Sequence, residues 1–245
     1  MSPEAYLEMA ETEREHWWFR GRREILCSIL HRLALAPRAR VLEVGSGTGG
    51  NLDILAEFGS VSGLEMDANA LAMSVERTSG RFDIRHGRCP DDIPFPEGGF
   101  DLICFLDCLE HISDDVGALG RMHPLLAPGG SIIVTVPAYQ WLWSAHDAFL
   151  HHHRRYDRAS LTRCAQAAGF RIERITYFNT LLFPLAVAAR LCDRLLRRKR
   201  SSGDAVPAEP LNTALYGIFK RESSWLAHRG LPFGVSLLAI LKADA

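Results

Sequence analysis

Six cysteines are spread over 245 residues without a single CxxC pair. That spacing excludes a disulfide framework and a structural zinc ribbon, and it points to reduced thiols in a cytoplasmic protein. The acidic opening MSPEAYLEMAETERE contains no apolar stretch, so no secretory signal is expected. An excess of charge of one sign is lacking too. The formal net charge is −1, which offers no bulk argument for a nucleic acid or any other charged partner. The most apolar helical segment, 181–196, is broken by Arg190, Asp193 and Arg194 and is too short to span a bilayer. There are no internal repeats. What remains is an ordinary globular composition, 47% hydrophobic and 23% charged, long enough to bury a full core without staples.

The apolar residues follow an alternating rhythm. Short runs at 41–44, 61–66, 82–86, 100–106 and 131–136 read as strands, and segments at about 51–58, 68–79 and 116–126 read as helices between them. Such alternation builds βαβ units and a parallel sheet, and the right-handed crossover rule leaves few topologies. Pro128-Gly129-Gly130 reads as a tight turn ahead of the fifth strand. Beyond that strand the pattern predicts a helix at 160–168, a strand at 171–178 and an apolar helix at 181–196. A polar linker at 197–210, a helix at 211–227 and a last strand at 235–241 complete it. Ahead of the first strand stand a polar helix at 4–16, the aromatic cluster His16-Trp17-Trp18-Phe19 and an amphipathic helix at 20–35 closed by Pro37. The expected organisation is one domain: an N-terminal helical cap (1–36), a core (37–180), a helical insertion (181–230) and the last strand (231–245).

VLEVGSGTGG, residues 41–50, joins a predicted strand to a predicted helix. Glycine reaches backbone conformations closed to other residues and lets a ligand approach the main chain. In open α/β sheets a loop at the carboxyl end of the first strand is where ligands bind. The second strand then ends in GLEMD, where Glu65 is placed to accept hydrogen bonds from two ribose hydroxyls. These features fit two cofactors. Gly45, Gly47 and Gly50 satisfy G-x-G-x-x-G, which admits a nicotinamide dinucleotide. Glu43 argues the other way: a carboxylate inside the strand just below the loop repels a pyrophosphate, whereas a cationic amino-acid ligand pairs with it.

The ordered series E-x-G-x-G-x-G, Glu65, IPFPEGGFDLI (93–103), Asp107-Cys108-Leu109-Glu110-His111-Ile112 and LLAPGGSIIVTVP (125–137) resembles the class I S-adenosylmethionine-dependent methyltransferases. The resemblance is best over residues 39–136. It implies a Rossmann-like, doubly wound α/β fold, with a mostly parallel seven-stranded sheet and helices on both faces. It also implies S-adenosylmethionine as cofactor. Gly45, Gly47 and Gly49 would then line its methionine portion, Glu43 would meet its ammonium, Glu65 its ribose and Met66 its adenine face. Ser46, Asn51 and Asp107 belong to the same implied set. Where members usually carry an acidic residue that reads adenine, soon after the third strand, this chain has Gly87-Arg88-Cys89-Pro90, with Asp91 and Asp92 slightly later. The Asn/Asp-Pro-Pro-aromatic motif of base-modifying members is missing after the fourth strand, so no nucleic-acid substrate is expected. HWWFRGRR (16–23), HHHRRYDRASL (151–161), YFNTLLFP (177–184) and LPFGVSLLAILKA (231–243) resemble a bacterial small-molecule or lipid-type subgroup.

The expected reaction is methyl transfer to a small acceptor, hydrophobic or lipid-like in view of the apolar insertion. An alcohol or phenol acceptor needs a general base; His111 is the candidate, with Asp107 beside it. The blander role for His111 is to cap the next helix or to orient Asp107. Trp18, Tyr139, Trp143, His151, Arg155 and Tyr156 are the expected acceptor-pocket residues. No metal is expected, because consecutive histidines at 151–153 diverge on a helix and Arg154 and Arg155 stand where acidic partners are needed. Two alternatives are a non-catalytic S-adenosylmethionine-binding protein and an NAD-dependent oxidoreductase. The helix at 181–196, followed by four basic residues at 197–200, reads either as a substrate lid or as an interfacial helix in peripheral contact with anionic lipid at the inner face of the membrane.

Overall fold

In a computed structural model the chain is described over residues 3–195 and 205–243. The basic run 197–200, and with it the membrane-facing end expected of the insertion, lies outside the described residues. So does most of the expected linker.

Seven strands form one sheet: β1 (Ala39–Val44), β2 (Gly59–Glu65), β3 (Asp83–His86), β4 (Phe100–Leu106), β5 (Leu126–Pro137), β6 (Phe170–Phe178) and β7 (Ser236–Ala243). Their order is β3-β2-β1-β4-β5-β7-β6. The first five run parallel, and β7 pairs antiparallel with both β5 and β6. The expected doubly wound, mostly parallel sheet is the one observed. Its central strands are near-continuous apolar runs because both faces are covered. Successive side chains alternate between the two cores: Leu42, Phe105 and Val134 enter one, and Val41, Cys104 and Ile133 the other.

Two short helices, α5 (Asp115–Gly120) and α7 (Arg158–Ala167), cover the first face through Leu119, Leu161 and Ala165. The second face is covered by α2 (Trp17–Leu30), α3 (Leu52–Leu55), α9 (Glu209–Phe219) and α10 (Glu222–Leu226). The remaining helices are α1 (Pro3–Thr12), α4 (Ala68–Arg77), α6 (Ala145–Phe149) and α8 (Phe183–Leu195).

Three boundaries differ from the sequence reading. The helix expected over 116–126 is only α5, since Gly117 and Gly120 weaken its interior and Pro124 cannot continue it. The helix expected over 211–227 divides into α9 and α10. The aromatic cluster, expected at the end of the first helix, forms the first turn of α2, where the His16 ring accepts from the Trp18 N–H at 3.2 Å.

Cap and insertion are stitched together on the second face. Asn212 of α9 accepts from the Trp17 N–H and donates to the Glu15 carbonyl, both at 2.8 Å. Gly21 lies so close to the Phe219 ring that a Cβ there would sit 2.3 Å from it, which lets α2 and α9 pack backbone against ring. The insertion therefore helps hold the cap, and the cap in turn roofs the carboxyl ends of the strands.

Candidate active site

Strand order reverses between β1 and β4, and the loops beyond their carboxyl ends form a crevice, the usual ligand site of an open α/β sheet. The glycine loop leaves β1 there. The N–H groups of Gly45 and Ser46 donate to the Leu64 carbonyl at 2.8 and 3.0 Å, which ties the loop to the end of β2. Gly47 has φ +54°, a left-handed conformation that leaves its bare backbone facing the crevice. Its N–H donates to Glu65 Oε2 at 2.7 Å, while Glu65 Oε1 accepts from the Asp67 N–H at 2.9 Å and from the Tyr6 hydroxyl at 3.2 Å. A hydroxyl from α1 thus already sits on the carboxylate expected to receive ribose hydroxyls.

Glu43 lies beneath the loop, 1% exposed. Oε1 accepts from the Asn51 side-chain amide at 2.7 Å, but Oε2 is buried with no partner. Burial pushes its carboxyl up to about 8, against the opposing effects of the Asn51 hydrogen bond and the Arg22 charge. Asn51 Oδ1 in turn accepts from Arg22 Nη2 at 3.1 Å, and Arg22 forms an ion pair with Asp107. Asp107 ends β4 with φ +55°, and its N–H donates to the Thr135 carbonyl at 3.0 Å. The result is a continuous polar chain Glu43–Asn51–Arg22–Asp107. Sequence reasoning found three of its members and gave no role to Arg22, which comes from the cap and is held over Trp18 with its guanidinium 4.9 Å from the ring centre.

The cap closes the crevice. Glu13 of the segment after α1 is buried, accepts from the Thr48 hydroxyl and pairs with Arg77 of α4. Met66, expected beneath adenine, is a 57%-exposed side chain on the rim of the cavity, an available apolar platform. Asp91 is turned away to within 3.8 Å of Arg88, so Gly87 and Cys89 line the cavity at the adenine end in place of the usual acid.

One cavity of about 570 Å³ runs from the glycine loop past Asp107 to an apolar wall made by Trp18, Leu182, Leu185, Ala186 and Leu215. Of the expected acceptor residues, Trp18 and Arg155 line it. Tyr139, Trp143, His151 and Tyr156 do not. Tyr139 is half-buried against the core and stacks on Tyr177, with centroids 5.1 Å apart. Tyr156 is a core side chain whose hydroxyl donates to Asp115 at 2.7 Å. Trp143 stands at the exit of the turn Gln140–Leu142, and His151 is exposed while the next residue, His152, enters. Arg155 is committed to a bidentate pair with Asp147, Nε at 2.7 Å and Nη2 at 3.0 Å, so it is not free to grip an anionic acceptor. Leu185 and Ala186 of α8, with Leu182 just before it, line the cavity.

Between the two halves sit Glu110 and His111, in the turn after β4, and His152. Burial lowers the His111 imidazolium to about 3, with the neighbouring His152 and His153 charges acting in the same direction. Its ring is therefore neutral at physiological pH and presents a lone pair, with Nδ1 buried and unpartnered. Glu110 is 1% exposed, and burial together with the Asp107 charge pushes its carboxyl well above the usual range. Glu110 and His152 were missed; the first is written beside His111, and the second is one of three adjacent histidines that only the backbone path after α6 tells apart.

Residues 18–175 match the model of a methyltransferase-domain family. The chain belongs to the class I S-adenosylmethionine-dependent methyltransferases. A probable S-adenosylmethionine-dependent methyltransferase of Mycolicibacterium smegmatis is 31% identical over 162 residues, 65% of this chain and 61% of that protein. A ubiquinone/menaquinone biosynthesis C-methyltransferase of Vibrio vulnificus is 31% identical over 130 residues, 47% of this chain and 49% of the relative. The chain thus spans less than two thirds of the length of these curated relatives. Among solved structures, the methyltransferase complexed with the Haloferax volcanii Trm112 methyltransferase activator superposes with a TM-score of 0.64 at 18% identity, covering 99% of this chain and 95% of its own. The S-adenosylmethionine complex of Haemonchus contortus phosphoethanolamine N-methyltransferase 2 gives 0.58 at 19% identity over 89% and 51%. Membership sets aside the nicotinamide alternative.

The crevice of this methyltransferase fits its family's cofactor. The partnerless Glu43 Oε2 suits a cationic ammonium group and opposes a pyrophosphate, and the space beside Gly47 is kept open by the missing side chain.

Proposed function

We propose that this chain transfers the methyl group of S-adenosylmethionine to a small, apolar or lipid-like acceptor. The carrying observation is the single cavity that joins the glycine loop and Glu65 at one end to the Trp18 and α8 wall at the other. The bound cofactor supplies an electrophilic methyl group. The protein's own contribution is to bind and orient both partners and to exclude water. Glu43, freed of its cost when it meets an ammonium, holds the amino-acid end; Glu65 exchanges the Tyr6 hydroxyl for ribose hydroxyls, and Met66 backs the adenine. Asp107, fixed by Arg22 and Thr135, marks the boundary between cofactor and acceptor. Beyond it Glu110, His111 and His152 form the polar end that meets the acceptor's reacting group, while Trp18, Leu185 and their neighbours take its apolar body. The ubiquinone/menaquinone biosynthesis relative supports an acceptor of this kind.

Incubation with methyl-labelled S-adenosylmethionine and a panel of isoprenoid-quinone precursors, phenols and lipids tests the proposal. Label in the organic extract is the expected result. Cofactor binding by calorimetry with no transfer to any apolar acceptor would leave the non-catalytic alternative standing.

A further inference from the structure

Outside the cofactor crevice, one group of side chains has a chemistry that hydrogen bonding within the protein does not satisfy. Glu110, His111 and His152 each offer a potential ligand atom, and these atoms all lie within 4.8 Å of one another. Their buried atoms are left over: Glu110 Oε2 and His111 Nδ1 have no partner. His152 Nε2 stands 4.0 Å from Glu110 Oε1, too far for a hydrogen bond. The expectation of no metal rested on histidines diverging along a helix and on arginines standing where acidic partners are needed. The structure removes both reasons, because 151–153 follow α6 as irregular chain and His152 meets an acidic partner, Glu110, from the turn after β4.

We propose that Glu110, His111 and His152 bind a divalent first-row transition-metal ion at the acceptor end of the cavity. Two imidazoles and a carboxylate favour manganese, iron, cobalt or zinc over the all-oxygen demands of calcium and magnesium. Metal–ligand bonds of about 2 Å put ligand atoms about 3–4 Å apart, so a modest contraction closes the site. The surrounding shell is already organised for it. His152 Nδ1 lies 2.9 Å from Asp147 Oδ1, an acceptor only, so Nδ1 must carry the proton and Nε2 is the free lone pair. Asp147 also accepts from Arg155 and from the Ser144 N–H, which fixes the histidine's tautomer and orientation, as carboxylates behind metal-bound histidines do. Charge agrees as well. Arg155 balances Asp147 and Arg22 balances Asp107, which leaves Glu110 as the buried acid of this cluster with no arginine paired to it. Three protein ligands leave coordination positions open, and all three residues line the cavity, so an oxygen donor of the acceptor can complete the shell. That last point rests on the acceptor reading given above; the metal site itself does not.

The test uses the full chain, stripped with a chelator and dialysed. Cobalt(II) titration followed by visible absorption, and manganese(II) titration followed by electron paramagnetic resonance, read metal binding directly. Stoichiometric binding is expected, weakened at least about 100-fold in His111→Ala and in His152→Ala and about 10–100-fold in Asp147→Asn. S-adenosylhomocysteine affinity and thermal melting, measured on the same samples, report whether each variant is folded. If one variant fails to fold, Glu110→Gln replaces it, keeping the shape and removing the charge. Unchanged cobalt affinity in folded ligand variants overturns the site, as does wild-type protein that binds neither ion. Methyl transfer that survives full removal of bound metal overturns the part given to the metal in holding the acceptor's oxygen, and leaves both the site and the methyltransferase reading intact. Metal bound at these residues in a protein that transfers no methyl group supports the site and sinks only the transfer reading.

Discussion

The two ends of the cavity are built in different ways. The cofactor end is local: one loop, the last residue of β2 and the first turn after β4 supply most of its polar atoms. The acceptor end is assembled from the first turn of α2, the segment after α6, and α8, elements spread along the chain from Trp18 to Ala186. A local site is rigid and written in a short motif. An assembled site depends on how distant pieces pack, so its residues can be exchanged without disturbing the sheet. Substitutions at the cofactor end should therefore act on binding in large steps, and those at the acceptor end on selectivity in small ones.

The largest effect is expected from Gly47→Val. The left-handed φ is unfavourable for a β-branched residue, and the new Cβ would lie 3.0 Å from Met9 Cε in the space the cofactor needs. Calorimetry should show S-adenosylhomocysteine affinity reduced by about 100-fold or more, equivalent to about 2.7 kcal/mol, with the melting transition retained. Full affinity in this variant would make the loop purely structural. Glu65→Ala follows, since hydrogen bonds to a charged acceptor are worth about 1.5–3 kcal/mol each. A loss of about 10–100-fold is expected in the same assay, and an unchanged constant would remove Glu65 from the site.

Glu43 gives a pH signature. A carboxyl raised on folding to about 8 favours the folded state only while it is protonated, so its contribution is complete below the unfolded carboxylate range and is lost as pH rises toward 8. Ligand-free protein should lose up to about 1.4 kcal/mol of stability per pH unit between about 5 and 8. Denaturation series at several pH values check this, and Glu43→Gln should flatten the dependence. An ammonium beside Glu43 favours its charged form, so cofactor binding near neutral pH should release a proton, visible as a buffer-dependent binding enthalpy. At the acceptor end, Leu185→Ala on the rim removes apolar surface worth about 1 kcal/mol. The acceptor KM should rise several-fold with cofactor affinity unchanged; a change in cofactor affinity instead would erase the distinction between the two ends.

The same contrast explains what could be read from the sequence. The parallel strands, the glycine loop, Glu43, Glu65 and Asp107 were legible because periodicity and a contiguous motif encode them. Arg22 was not, because nothing near it in sequence hints that its partner stands eighty-five positions away at the end of β4. Tyr139 and Tyr156 misled because an aromatic near a site looks the same whether it faces a ligand or the core. The histidine run misled through an assumed helix: α6 stops at Phe149, and the chain then carries one of the three rings inward. Local pattern fixes which elements form, and tertiary packing decides which side of a loop residue faces the cavity.

The position of α1 has a kinetic consequence. Tyr6 is bonded to the ribose-type carboxylate, and Glu13 links the same segment to the glycine loop and α4. The Tyr6 bond gives way to ribose when the cofactor binds, so a spent cofactor departs past this helix only when the Glu13 contacts break and α1 swings outward, a segmental displacement opposed by solvent friction. Release of S-adenosylhomocysteine is then expected to be the slow event of each cycle. Turnover should fall as sucrose raises the viscosity, a pre-steady-state burst of methylated product should precede the steady rate, and Glu13→Gln, which weakens the pair with Arg77, should weaken the viscosity dependence.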